Sequence, residues 1–158
     1  MTNTYYLCSI HQQNIESFVP NRILVVDDDL DDQLLISDAF THSGQPCELA
    51  FADNGKCALD LMKNSEYKPE LIILDLNMPV MNGFDVLKYL RTNGQLARIP
   101  VVVFTTSSET ASVEKSYDLG ANSYVVKPKT FPQLETLVAD LFKYWFKTVK
   151  LSPPATSF

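Results

Sequence analysis

The chain has 158 residues, 46% hydrophobic and 20% charged, with a formal net charge of −6 and a pI near 4.8. That length suits one domain with a buried core, the ordinary composition excludes a disordered or fibrous chain, and the acidic balance excludes nucleic-acid capture by a long-range positive field. No apolar run is long enough to span a membrane and no cationic start precedes an apolar stretch, so the expectation is a cytoplasmic protein that engages neither membrane nor nucleic acid.

Residues 1–20, "MTNTYYLCSIHQQNIESFVP", follow neither a period of two nor one of 3.6, and are read as an N-terminal extension that either packs over a face or stays mobile. From residue 21 the pattern changes. "RILVVD" is a short β-branched run, followed over 30–42 by a helix with Leu34, Leu35, Ala39 and Phe40 on a broad apolar face. "ELAFA" is a weaker strand, and Asn54 is placed to cap the helix "GKCALDLMKN". "LIILDL" is the next strand. "GFDVLKYLRTNG" then carries Phe84, Leu87 and Leu90 on a helix that stops at Gly94.

"VVVFTT" reads as a strand, and Thr106 with Glu109 has capping-box spacing for a helix ending at Gly120. "SYVV" is the fifth strand. Thr130 and Gln133 repeat the capping signal, with Pro132 tolerated in the first turn. The last helix places Leu134, Leu137, Val138, Leu141, Phe142, Trp145 and Val149 on one stripe, and the run Tyr144–Trp145–Phe146 forces at least one aromatic away from it. Residues 21–150 form the domain, and 151–158, "LSPPATSF", a short tail.

The strand runs lack alternation, so both faces should be buried, as in a parallel sheet with helices on each side. Strand–helix alternation repeated five times implies right-handed crossovers and an open doubly wound α/β fold. Three cysteines, Cys8, Cys47 and Cys57, without C-x-x-C spacing, fit reduced thiols, and His11 does not turn them into a well-spaced zinc site.

In open parallel sheets, ligand chemistry gathers at the carboxyl ends of the strands. Here those ends carry Asp27 and Asp28, Asp75, Thr105 and Lys127. Three carboxylates at one rim repel one another, and a hard divalent cation such as Mg²⁺, which favours oxygen ligands, resolves the repulsion, with Lys127 as a second positive charge. Asp29, Asp31 and Asp32 are read as first-turn acids facing the helix dipole and water. Asp75 is a competent nucleophile toward phosphorus, while Thr105 and nearby backbone N–H groups donate to phosphoryl oxygens.

With these residues in place, "ILVVDDD", "LIILDLNMPVMNG", "PVVVFTTSS" and "GANSYVVKPKTF" resemble the receiver domains of two-component response regulators over about residues 21–150. The resemblance implies a flavodoxin-like five-stranded parallel sheet in the order 2-1-3-4-5 with five helices. It further implies that Asp75 is the phosphoacceptor, and that Asp28, Asp75 and the backbone carbonyl of Asn77 hold Mg²⁺ directly, with Asp27 acting through water and Mn²⁺ an acceptable substitute. Thr105 and Tyr124 then correspond to the switch pair, Lys127 to the phosphate-pairing lysine, and Lys127–Pro128 to a cis peptide. "DDDLDDQLLISDAF", "VFTTSS", "SYDLGANSYVVKP" and "YWFKTVKLSP" are similar to the small single-domain response regulators of cyanobacterial-type phytochromes. Thr106 departs from the small residue that receivers often carry there.

The function so implied is a phosphorelay switch. A histidine kinase, phytochrome-like or hybrid, phosphorylates Asp75, and the output is contact with a downstream protein or a phosphotransfer protein. A homodimer through the fourth and fifth helices fits the same resemblance. Two other classes compete. A receiver-like interaction module that ignores phosphate is disfavoured because no acid and no lysine is lost. A phosphatase with an aspartate nucleophile lacks its general acid, since Asn77 stands two places after Asp75 and His42 reads as the polar tail of the first helix. A nucleotide or flavin site is weaker still, because the first strand–helix turn is "DDDLDD", not Gly-rich.

Overall fold

Short β-branched runs separated by amphipathic segments leave the chain one economical solution, strands stacked in parallel with helices covering both faces. The computed structural model, which describes residues 6–7, 20–64 and 67–153, has that architecture. In chain order the elements are β1 (Tyr6–Leu7), β2 (Asn21–Val26), α1 (Leu30–His42), β3 (Cys47–Ala52), α2 (Gly55–Asn64) and β4 (Leu71–Leu74). There follow α3 (Gly83–Thr92), a 3₁₀ turn (Gly94–Arg98), β5 (Val101–Thr105), α4 (Thr110–Asp118), β6 (Ser123–Val126), α5 (Phe131–Lys143) and a π-helical turn (Tyr144–Thr148).

The sheet order is β1-β3-β2-β4-β5-β6. Counted from β2, the five parallel strands have the expected order 2-1-3-4-5. The sixth strand is an addition: β1 pairs antiparallel with β3, Tyr6 opposite Leu49 and Leu7 opposite Glu48. An edge strand exposes a row of unpaired backbone groups, and two residues from upstream suffice to occupy part of it. The rest of the expected extension, with Cys8 and His11, lies outside the described residues, as does 154–158 of the tail.

Successive residues along the strands feed opposite cores. Leu24, Val26, Ile72, Leu74, Val101 and Val103 pack with Ala58, Met62, Val86, Leu87 and Leu90 of α2 and α3. Ile23, Val25, Leu71, Ile73, Val102 and Phe104 pack with Ile36, Ala39 and Phe40 of α1 and with Leu134, Val138 and Phe142 of α5. The aromatic that must leave the α5 stripe is Tyr144, which is exposed, while Trp145 and Phe146 stay half-buried.

Five local expectations are corrected. Only Ala39 and Phe40 of the four residues assigned to the apolar face of α1 are buried; Leu34 and Leu35 are exposed, because Ile36 sets the buried side and Leu34 lies about 200° from it around the helix. The strand β6 is half-buried at Ser123, Tyr124 and Val125 and exposed at Val126, because it is the edge of the sheet and only Ser116 of the short helix α4 is buried. The Thr106–Glu109 capping box does not form: α4 starts at Thr110, Glu109 occupies the cap without a side-chain bond, and residues 106–109 carry the chain away from the strand end. Asn54 does cap α2, through its Oδ1 and the Cys57 N–H (3.0 Å). Thr130 sits at the α5 cap without a side-chain bond. Among the described residues no peptide bond is cis, so Lys127–Pro128 takes the ordinary trans form.

Candidate functional site

The rim at the carboxyl ends of β2, β4, β5 and β6 is fixed by backbone bonds that run one residue past the strands. The Asp27 N–H donates to Ala52 O (3.0 Å), Asp75 N–H to Val26 O (2.9 Å) and Lys127 N–H to Thr105 O (2.8 Å). These bonds lock the first residue beyond each strand, so side chains far apart in sequence acquire fixed relative positions. Asp29 turns the chain into α1: its carboxylate caps the helix by accepting from Asp31 N and Asp32 N, while Asp29 N–H donates to Asp27 Oδ1 (3.0 Å).

Asp27, Asp28 and Asp75 present carboxylate oxygens within 4.8 Å of one another. Asp27 and Asp75 are buried and Asp28 is exposed, so the cluster opens to solvent on one side. Oδ1 of Asp75 accepts from Leu76 N–H (2.7 Å), leaving Oδ2 on the side of Lys127, 3.7 Å from its ammonium. The donor set is all oxygen and negatively charged, which fits a hard divalent cation and no soft one.

The Lys127 ammonium is almost buried and lies 2.6 Å from both Asp27 Oδ2 and Asp32 Oδ2. Burial acts to lower its pKa, but hydrogen bonds to Asp27 and Asp32 and the nearby charges outweigh it and hold it above the ordinary lysine range. Burial pushes the Asp27 carboxyl up against the pull of that same ammonium.

Thr105 is fully buried, and its Oγ1 has no hydrogen-bond partner. A buried hydroxyl left unpaired is costly unless something else occupies its reach. Tyr124 is half-buried, turned in against the core, and its hydroxyl donates to Ser107 O (2.9 Å) in the β5–α4 loop. Asn77 and Thr106 are exposed.

The loop between β4 and α3 is strained. Val80 has φ of +68°, rare for a β-branched residue, and is 81% exposed. Asn82 caps α3 through Asp85 N–H (3.0 Å), and a Cβ on Gly83 would lie 2.3 Å from Asp75 O. Only glycine lets α3 begin directly under the acid.

The structure thus gathers Asp27, Asp28, Asp75 and Lys127 at one rim, with Thr105 ending the adjacent strand, as expected, and adds one residue. Asp32, expected to face the helix dipole and water, engages Lys127 instead. Its place in the first turn of α1, just after the strand-end acids, was the available signal. It does not single out Asp32, because Asp29 and Asp31 have an equal claim on the helix dipole.

Comparison with known proteins agrees with this geometry. The response regulator Rcp1 of Synechocystis sp. is 37% identical over 141 residues, spanning 86% of this chain and 96% of its own. The phosphorylated cyanobacterial phytochrome response regulator RcpA superposes with a TM-score of 0.78 at 34% identity, covering 84% of this chain and 99% of that one. The Mn²⁺-bound form of Rcp1 gives 0.75 at 36% identity, covering 84% and 99%. The family model for the response regulator receiver domain matches residues 23–139, and the chain belongs to that family, the receivers of two-component phosphorelays.

Proposed function

We propose that this receiver accepts a phosphoryl group on Asp75 from the phosphohistidine of a sensor kinase. The P–O bond to an Asp75 carboxylate oxygen forms as the P–N bond to the kinase histidine breaks, so the chain supplies nucleophile and electrostatics and no separate substrate is turned over. One observation carries the reading: a buried carboxylate that shares its rim with two further acids, an almost buried lysine and, at the next strand end, a buried hydroxyl that nothing else satisfies.

Asp28, Asp75 and the Asn77 carbonyl would hold Mg²⁺ or Mn²⁺, with Asp27 acting through water. The cation supplies neutralisation of phosphoryl charge when bound. Lys127 pairs with a second phosphoryl oxygen and the Thr105 Oγ1–H donates to a third. Movement of Thr105 toward that oxygen vacates space beside Tyr124, whose bond to Ser107 couples the site to the β5–α4 loop and shifts the population of the α4–β6–α5 face.

That face carries exposed Tyr117, Val126 and Tyr144, which suits contact with a downstream protein, a phosphotransfer protein or a second copy in a homodimer. A phytochrome-type kinase as donor is the pairing favoured by the likeness to the phytochrome response regulator RcpA, and we place the exchange in the cytoplasm. No described helix is long and apolar enough to cross a membrane. The test is incubation with Mg²⁺ and acetyl phosphate, which would leave as acetate. The wild type gains one phosphoryl group by mass and Asp75→Asn gains none; equal labelling of the two would refute the assignment.

A further inference from the structure

Asp32 has a place in the site that neither the helix dipole nor the cation explains. It lies in the first turn of α1, where an acid is ordinarily accounted for by the exposed N–H groups of the helix start. Yet its Oδ2 is 2.6 Å from Lys127 Nζ, as near as Asp27, whereas Asp75 stands 3.7 Å away. The lysine is therefore held more tightly by two acids that do not accept phosphorus than by the one that does. Asp32 is also outside the group of acids whose oxygens converge for a cation, which comprises Asp27, Asp28 and Asp75. Its side chain is about one-third exposed, so solvent can replace the lysine as its partner.

We propose that Asp32 is a positioning residue that tethers Lys127 in the resting protein and must release it when a phosphoryl group occupies Asp75. The proposal rests on the phosphoacceptor reading of Asp75. Its physical content is a charge balance: three carboxylates, Asp27, Asp32 and Asp75, face one ammonium, and Asp28 adds a fourth negative charge beside Asp27 and Asp75. Asp32 adds to the negative potential that attracts a divalent cation, and the same charge repels a phosphoryl group and competes with it for the lysine. Removing it therefore acts in opposite directions on the two ligands. A residue that merely supported the fold would weaken both.

The experiment titrates Mg²⁺ alone, then trifluoroberyllate at saturating Mg²⁺, into the wild type and into Asp32→Asn, Asp32→Glu, Asp31→Asn and Asp75→Asn. Asp32→Asn is expected to weaken Mg²⁺ binding about two- to fivefold and to tighten trifluoroberyllate binding about three- to tenfold. Asp32→Glu keeps the charge on a longer arm and returns both toward the wild type. Asp31→Asn removes the same charge from the same turn at an exposed position and should stay within about twofold for both ligands. Trifluoroberyllate binding by Asp32→Asn that is equal to or weaker than the wild type overturns the proposal, as does an Asp31→Asn response matching that of Asp32→Asn. If instead the wild type fails to bind trifluoroberyllate, or Asp75→Asn binds it equally well, the phosphoacceptor reading fails and takes the tether with it.

Discussion

Two partly buried cations, one at each end of the sheet, sit in opposite kinds of company. At the carboxyl rim Lys127 faces Asp27, Asp32 and Asp75. At the amino end, Arg91 donates through Nε to Gly120 O (2.8 Å), through Nη1 to Ala97 O (2.8 Å) and Ile99 O (3.0 Å), and through Nη2 to Asn122 Oδ1 (2.9 Å). All four acceptors of Arg91 are neutral. Its fork is spread over the approach to β5 and the α4–β6 turn, and the Asn122 oxygen it holds also accepts from Val101 N–H (2.8 Å). Burial lowers the pKa of Arg91, with no carboxylate to counter it, whereas carboxylates raise that of Lys127.

The difference teaches what each cation is for. Neutral carbonyls in fixed geometry make a clamp, since a guanidinium matched to four acceptors has no better arrangement to move to. Carboxylates competing for one flexible ammonium make an exchangeable contact, because any added anion or cation changes the balance among them. Glycines support both ends. Gly120, at φ +89°, brings its carbonyl under Arg91, where a Cβ would lie 2.8 Å from the arginine side chain, and Gly83 opens the space beneath Asp75.

The strongest way to break the comparison is at the acid itself. Asp75→Asn should reduce labelling by acetyl phosphate to background, read by intact mass, while the urea midpoint stays that of a folded domain. Lys127→Ala comes next: loss of the charge proposed to pair with the phosphoryl group should slow labelling about 100-fold or more at saturating Mg²⁺, measured as an initial rate. Arg91→Ala should separate the two ends. Losing one charged donor group with four acceptors should cost roughly 2–4 kcal/mol in urea unfolding, with the labelling rate per folded molecule unchanged. A rate loss in Arg91→Ala comparable to that of Lys127→Ala would erase the distinction.

Smaller effects sharpen it. Gly83→Ala must displace the Asp75 backbone, so it should cost about 1–3 kcal/mol and slow labelling together, linking packing to chemistry at the rim alone. Val80→Asn should relieve the left-handed backbone strain and raise stability by roughly 1 kcal/mol, because asparagine tolerates that conformation. A Val80→Asn protein no more stable than the wild type in urea would show that the loop strain is compensated elsewhere.

Much of this was legible from residues. Unbroken apolar runs such as Ile72–Leu74 announce buried parallel strands because sheet burial on both faces permits no alternation. Acids and a lysine placed directly after such runs announce a rim, because the strand end is the one position where a polar side chain leaves the core without crossing it. The face of α1 was not legible: Leu34 and Leu35 are as apolar as Ile36, and only contact with β-strands and α5 selects among them. Nor was β1, whose two residues carry no periodic signal and gain structure from the β3 edge they meet.

What the sequence determined by itself is local: the alternation of extended and helical segments from residue 21 onward, and which chemical groups stand at each strand end, since backbone propensity and hydrophobic burial act over neighbours. What the tertiary structure alone decided is partnership. Lys127 and Asp32 are 95 positions apart, and Arg91 and Asn122 are 31 apart. Whether a cation meets charged or neutral oxygens depends on angles and distances set by the crossovers, and no spacing along the chain encodes them.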